Sequence, residues 1–220
     1  MLDGDYFRGY FDSGELKKKK CLRDYHGRRN VYIEEIDGEI YYIKKYRPHK
    51  QRKRGIAFGV TRDRAEHYKY ISEKLKKIGI LHAQPLVVLV NRISFFERES
   101  LYVTKDLGTP FNESQRTKKH LKIFFEYFLL LLENEIYPTD YNLGGALIGK
   151  DNELYLIDFD AYRLKWIVTK KFKKYVLEKY KKNFYEDYEE ENSKKILNDF
   201  RKYSDLIKEN IEKVKAILKL

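Results

Sequence analysis

In the stretch YPTDYNLGGALIGKDNELYLIDFDAYR, residues 137–163, Asp140 precedes and Asp158 follows two short apolar, strand-like runs. If residues 146–148 pair with 154–157 through a tight turn at Lys150-Asp151-Asn152, the flanking ends carrying the two aspartates come together. Two carboxylates converging beside a cleft suit phosphoryl transfer. One orients or deprotonates an acceptor hydroxyl, and the other holds Mg2+ against nucleotide phosphates. Magnesium is served by carboxylate and phosphate oxygens. Asp160, two residues beyond Asp158, is within reach of the same ion. A turn-capping role is the ordinary reading for any single aspartate. Their joint position after a long apolar helix favours the chemical one.

The elements that must hold these residues follow from pattern. VYIEEIDGEIYYIKKYR, 31–47, reads as a hairpin, with two β-rich runs flanking Asp37-Gly38. Residues 61–80 read as a helix: Ala65, Tyr68, Ile71, Ser72 and Leu75 recur at helical spacing and Gly79 suits the exit. PLVVLVNRI and SLYVTKDL read as two strands, giving the order β-β-α-β-β up to Leu107. A long helix at about 114–135 leads into the aspartate stretch, and two or three helices follow to Leu220. In the last, Ile196, Phe200, Tyr203, Ile207, Ile211, Val214 and Leu218 form a stripe that packs against the domain. YEDYEEEN, 185–192, reads as a solvated connection. The expected architecture is α+β and bilobal: one domain over 1–220, with a small β-rich N-lobe at about 20–107 and a helical C-lobe at about 108–220. A ligand cleft between lobes is the default expectation.

With 42% hydrophobic residues the chain can build a core, which excludes a wholly disordered protein. Its formal net charge of +12 favours an anionic partner, whether nucleotide, nucleic acid or an anionic membrane surface. A single cysteine, Cys21, excludes a disulfide framework and a cysteine-based zinc site and points to a reducing, cytoplasmic setting. His26, His49, His67, His82 and His120 show no metal-ligand spacing and read as ordinary surface or core residues. The N-terminus lacks the apolar run of a signal peptide. The run IFFEYFLLLL, 123–132, is far shorter than the ~20 residues of a membrane span and reads as a buried core helix.

Taken in order, these motifs resemble the protein-kinase-like superfamily, and within it the lipopolysaccharide core kinases of the heptose(II) kinase (WaaY/RfaY) type. YYIKKYR is similar to the V-A-I-K strand and RAEHYKYISEKLKKIGI to the helix that follows it. SLYVTKDL resembles the strand entering the hinge, and the Gly79–Leu81 run with QPLVV resembles the core-kinase subgroup. PTD stands where H-R-D is expected and IDFD where D-F-G is expected. The resemblance implies a bilobal kinase-like fold and ATP-dependent phosphorylation of a sugar hydroxyl, with heptose in the lipopolysaccharide core as the expected acceptor. It makes Asp140 the base and Lys44 the phosphate-binding lysine, with Glu66 as its ion-pair partner and Glu73 a weaker rival. Asp158 is the implied magnesium ligand, with Asp160 beside it, and the cofactors are ATP and Mg2+. Adjacent strand residues face opposite ways, so only one of Lys44 and Lys45 can face the cleft, and the match to V-A-I-K favours Lys44.

Three departures stand out. Gly145 occupies the position where the pattern expects Asn, and Asn142, two residues after Asp140, is the nearby amide able to serve the cofactor in its place. The nucleotide-covering stretch CLRDYHGRRNVYIEE has only Gly27, leaving Arg28 and Arg29 to meet phosphates. Tyr137-Pro138-Thr139 replaces the usual His context. They keep open a kinase with another acceptor and a pseudokinase scaffold.

The basic run KKYRPHKQRKR, 44–54, together with GELKKKK, 14–20, is either a solvated face or a dock for an anionic glycolipid or the inner face of the cytoplasmic membrane. A nucleic-acid-binding module, suggested by twenty tyrosines on a basic chain, is less favoured: no RRM, KH or zinc-finger signature is present.

Overall fold

The computed structural model describes residues 4–12, 18–25, 28–47, 55–56, 58–111, 117–165, 167–185 and 203–220. Most of the basic run at 44–54, most of 14–20, His26, His49, Gly27, the 186–192 part of the acidic connection and the Ile196 and Phe200 end of the last stripe lie outside them. The chain divides into two compact units, one of residues 1–74 and 83–106, the other of 75–82 and 107–220.

In the first unit, five antiparallel strands lie in the order β1-β2-β3-β5-β4. They are β1 (Cys21–Asp24), β2 (Arg29–Ile36), β3 (Glu39–Tyr46), β4 (Val87–Arg92) and β5 (Arg98–Lys105). The β2–β3 turn is Asp37-Gly38, both at positive φ, as the hairpin signal requires. Strand β1 and a short N-terminal helix, α1 (Gly4–Arg8), were not legible as elements and extend the expected β-β-α-β-β order.

The sheet has two differently covered faces. On one, Tyr32, Tyr41, Ile43, Leu101 and Val103 bury against Phe7 and Tyr10 of the N-terminal segment. Glu34 of β2 anchors that segment, accepting hydrogen bonds from Tyr6, Tyr10 and Lys19. On the other face lies α2 (Arg64–Lys77), whose Tyr68 stacks on Tyr102 of β5 with ring centroids 3.8 Å apart. Asp63 starts α2 by accepting from the Ala65 amide at 2.9 Å, an N-cap bond. Gly79, at φ +76, follows its end.

Burial alone would raise the Glu34 carboxyl, but the bonds from Lys19, Tyr10 and Tyr6 outweigh it and hold the group below its ordinary value. A depressed folded-state pKa stabilises above the unfolded carboxylate range, and that stabilisation is lost as pH falls through the depressed value. Glu34→Gln is therefore expected to be less stable than the parent at pH 7. The difference should shrink toward strongly acid pH in urea melts run across a pH series.

The second unit is built on α3 (Lys118–Glu133), in which Phe124, Phe125, Phe128, Leu131 and Leu132 are buried. Thr117 caps it by accepting from the His120 amide. His120 Nε2 lies 3.0 Å from the Asn152 carbonyl, which ties α3 to the turn of the β8–β9 hairpin (Ala146–Gly149 and Leu154–Leu156). Strand β6 (Gly108–Pro110) pairs with β8 so closely that a Cβ on Gly108 would fall 2.1 Å from the Ile148 carbonyl oxygen. Strands β7 (Ile136–Pro138) and β10 (Tyr162–Leu164) form a second pair. Helices α4 (Lys170–Tyr185) and α5 (Ser204–Leu218) complete the unit. Tyr180 of α4 stacks on Phe128 and donates to Asn210 of α5 at 2.5 Å. The described part of the expected last stripe, Ile207, Ile211, Val214 and Leu218, is buried. No helix among the described residues is long and apolar enough to cross a membrane.

Candidate functional site

The β8–β9 hairpin forms in the expected register, Ala146 opposite Leu156 and Ile148 opposite Leu154. Its ends are locked together. Ile157, just before Asp158, donates its amide to the Gly145 carbonyl at 2.8 Å. On the other side β7 pairs with β10, and Thr139 bonds the Ala161 carbonyl through both its amide, at 3.1 Å, and its hydroxyl, at 2.9 Å. The loop that carries Asp140 is thus fixed at both ends to the segment that carries Asp158 and Asp160. A buried phenol reports the result. Tyr162 is pushed well above its ordinary pKa by burial first, then by the charges of Asp158 and Asp140.

Asp158 itself is held at φ 55, ψ 49, a left-handed conformation uncommon outside glycine, at the start of a 3-10 turn over Phe159–Ala161. Arg163 donates to the Asp160 carbonyl at 2.6 Å and the Tyr162 carbonyl at 3.0 Å, fixing the backbone of that turn. Phe159, fully buried, packs edge-on against His82, whose ring centroid is 5.7 Å away. His82 belongs to the 75–82 segment of this unit, where the Leu156 amide donates to the Leu81 carbonyl. Its Nδ1 lies 2.7 Å from the Ile80 carbonyl, and burial holds the imidazole below its ordinary pKa, so it serves as a neutral packing group.

Asn142 is committed within the loop. Its Nδ2 donates to Asp140 Oδ1 at 2.6 Å, and its Oδ1 accepts from the Gly145 amide at 3.1 Å. The loop therefore needs an amide backbone donor at 145, which glycine provides, and an amide side chain at 142 that faces both ways. Asn142→Ala is expected to destabilise the protein by about 1 kcal/mol, as loss of a capping side chain does. A urea titration checks it.

Asp140, Asp158 and Asp160 offer carboxylate oxygens, the donor type magnesium takes, but among the described residues no three or more His, Cys, Asp and Glu gather as a metal site.

In the first unit Lys44 and Lys45 separate as strand alternation requires. Lys44 lies on the α2 face, opposite Tyr102 in register and 5.7 Å from the centre of its ring. Lys45 turns to the other face, 2% exposed, and pairs with Glu99 at 3.2 Å. Glu99 is also bound by Arg47 at 2.8 Å. Glu66 is exposed and shares a shallow depression with Lys69, Tyr70, Glu73, Val88 and Val90. Glu66 and Glu73 thus lie on one side of α2. Of Arg28 and Arg29 in the glycine-poor stretch, Arg29 stacks on the Tyr25 ring at 4.1 Å.

Thr139, Tyr162, Arg163 and His82 support the loops that bear the carboxylates and were not singled out for that from sequence. The β7–β10 pair explains Thr139, Tyr162 and Arg163, and contact with Phe159 explains His82.

Comparison with known proteins finds the fold elsewhere. The structure of WaaP in complex with acyl carrier protein superimposes with a TM-score of 0.54 over 99% of this chain and 98% of that one, at 13% identity. Two structures of WbdD match with TM-scores of 0.48 and 0.44, at 13% and 15% identity. They cover 74% and 70% of this chain but 37% and 34% of theirs, and one is described as a bifunctional kinase-methyltransferase. No family model and no curated protein matches the sequence.

Proposed function

We propose, taking the α+β kinase-like fold shared with WaaP as the starting point, that the chain acts as one kinase-like domain. Its reaction is ATP-dependent phosphorylation of a sugar hydroxyl, with heptose of the lipopolysaccharide core as the acceptor. The observation that carries this reading is the double fastening of the Asp140 loop to the Asp158 segment. Asp140 would accept the proton of the attacking hydroxyl and hold its oxygen in line. Asn142, bonded to Asp140 Oδ1, would fix the direction of that carboxylate. Asp158, with Asp160, would hold Mg2+, which when bound neutralises phosphate charge. Lys44, on the α2 face of its strand, would neutralise the α- and β-phosphates. Glu66 would brace it only by a turn of its side chain from the exposed position. Rate enhancement would come from positioning and charge neutralisation. The acceptor would be an anionic glycolipid, met at the inner face of the cytoplasmic membrane.

A second reading, nucleotide binding without transfer, is supported by Asn142, whose amide is already engaged by Asp140 and Gly145. Calorimetry of ATP binding with and without Mg2+, on the parent and Asp158→Ala, separates the readings. Magnesium-dependent binding lost in the variant is the expected result. Binding indifferent to both Mg2+ and Asp158 would favour the scaffold, and no binding by the parent would end the nucleotide reading.

A further inference from the structure

The connection between β4 and β5 closes as a tight loop: Ile93 and Ser94 both donate their amides to the Glu97 carbonyl. At its tip stand Phe95 and Phe96, where turns ordinarily carry Gly, Asn, Asp or Pro. They are 52% and 48% exposed, and Ile93 beside them is 55% exposed. A second turn adds Phe58 and Val60, 69% and 80% exposed, around Gly59 at φ +68. The three phenyl rings meet one another, Phe95 to Phe96 at 4.9 Å, Phe58 to Phe95 at 6.3 Å and Phe58 to Phe96 at 6.4 Å. Five large apolar side chains thus form one raised, water-facing cluster, the kind of patch that marks an interaction surface.

What covers it is indicated by charge. At the base of the loop Arg92 and Arg98 are directly opposite in register, a like-charge pair that destabilises a hairpin. Among the described residues neither has a carboxylate partner, and Arg92 lies over the Phe95 ring at 5.5 Å. Nearby Glu99 is already taken by Lys45 and Arg47. An apolar tip above unneutralised arginines matches the boundary between anionic headgroups and acyl chains. We propose that this loop, with the Phe58–Val60 turn, inserts into an anionic phospholipid surface. Phe95, Phe96 and Phe58 enter the acyl boundary, and Arg92 and Arg98 meet the headgroup phosphates. The proposal supplies the membrane partner for the glycolipid reading above and rests on it for its biological purpose. The insertion itself is measured without nucleotide.

The test uses the full chain with Phe95→Trp in a Trp166→Phe background. Its probes are vesicles of phosphatidylcholine, alone or mixed with phosphatidylglycerol, with brominated acyl chains. Quenching of the tip tryptophan by bromine on the anionic vesicles, reversed by salt, is the expected result. Arg92→Gln and Arg98→Gln should each weaken binding about fivefold, and Phe95→Ser with Phe96→Ser about a hundredfold. Vesicle binding without quenching would overturn the proposal by assigning adsorption to other basic segments. Absence of vesicle binding would overturn it too. So would an unquenched tip with concentration-dependent self-association that the double serine variant abolishes, which would make the patch a protein interface. ATP binding is measured on the same preparations. Quenching without ATP binding would sink the nucleotide reading alone, and ATP binding without quenching would sink the insertion alone.

Discussion

Asp140→Asn is expected to bind ATP and Mg2+ as the parent does and to lose turnover by about a hundredfold to ten-thousandfold, the range for removing a positioned general base. The substitution keeps the size of the side chain and an oxygen for the Asn142 amide, whose bond to Asp140 Oδ1 is 2.6 Å. The loop is pinned independently of that side chain, by Gly145 to Ile157 and by Thr139 to Ala161. Structure and nucleotide affinity should therefore survive while proton acceptance is lost. Single-turnover kinetics with an excess of enzyme over acceptor measures it. Turnover within about threefold of the parent would remove Asp140 from the chemistry, given the smallest effects expected of such a base.

Phe128→Ala should produce the largest loss of stability. Phe128 is fully buried in α3, stacked on Tyr180 with ring centroids 3.9 Å apart and an interplanar angle of 6°, and 4.9 Å from Tyr141. Truncation of a buried phenylalanine costs about 3–5 kcal/mol, a large part of the roughly 5–15 kcal/mol that holds a typical domain together. The cavity would open among three elements at once, because Tyr180 also donates to Asn210 of α5 and Tyr141 donates to the Phe124 carbonyl at 2.6 Å. Equilibrium urea denaturation reads the loss. A midpoint close to the parent's would mean that the neighbouring rings collapse into the space.

Local periodicity made much of this architecture legible. The Asp37-Gly38 hairpin, the α2 stripe ending near Gly79, the buried α3 helix and the β8–β9 hairpin each carry their signal within a few residues of sequence. Alternation on β3 put Lys44 and Lys45 on opposite faces, and the resemblance to V-A-I-K chose Lys44 between them. Elements without internal signal were not legible. Strand β1 is four residues long and fully exposed, so it shows no apolar alternation. The β7–β10 pair consists of three-residue strands far apart in sequence, recognised only once paired. The same distance hid the supporting roles of Tyr162, Thr139 and Arg163. Glu66 and Glu73 both line one exposed depression, because the face of α2 that meets the sheet is set by Tyr68, Ile71, Ser72 and Leu75. The phenylalanine tip at 95–96 falls between the strand runs PLVVLVNRI and SLYVTKDL and carries no Gly, Pro or Asn to mark it as a turn.

The five-stranded sheet leaves two strands with an open side, and they guard it differently. Strand β1 is short, carries Arg23 and Asp24, and has a register shift between Cys21 and Arg23, which makes it a poor template for a foreign strand. Strand β4 runs Val-Val-Leu-Val without a charge from residue 87 to 90, a sequence prone to intermolecular cross-β stacking. The small N-terminal helix sits against it: a Cβ on Gly4 would be 3.4 Å from Leu89 and 3.9 Å from Val87. That helix covers the face of β4 and leaves its edge open, so losing it would add bare Val87 and Leu89 side chains beside unpaired backbone groups and raise the strand's tendency to associate.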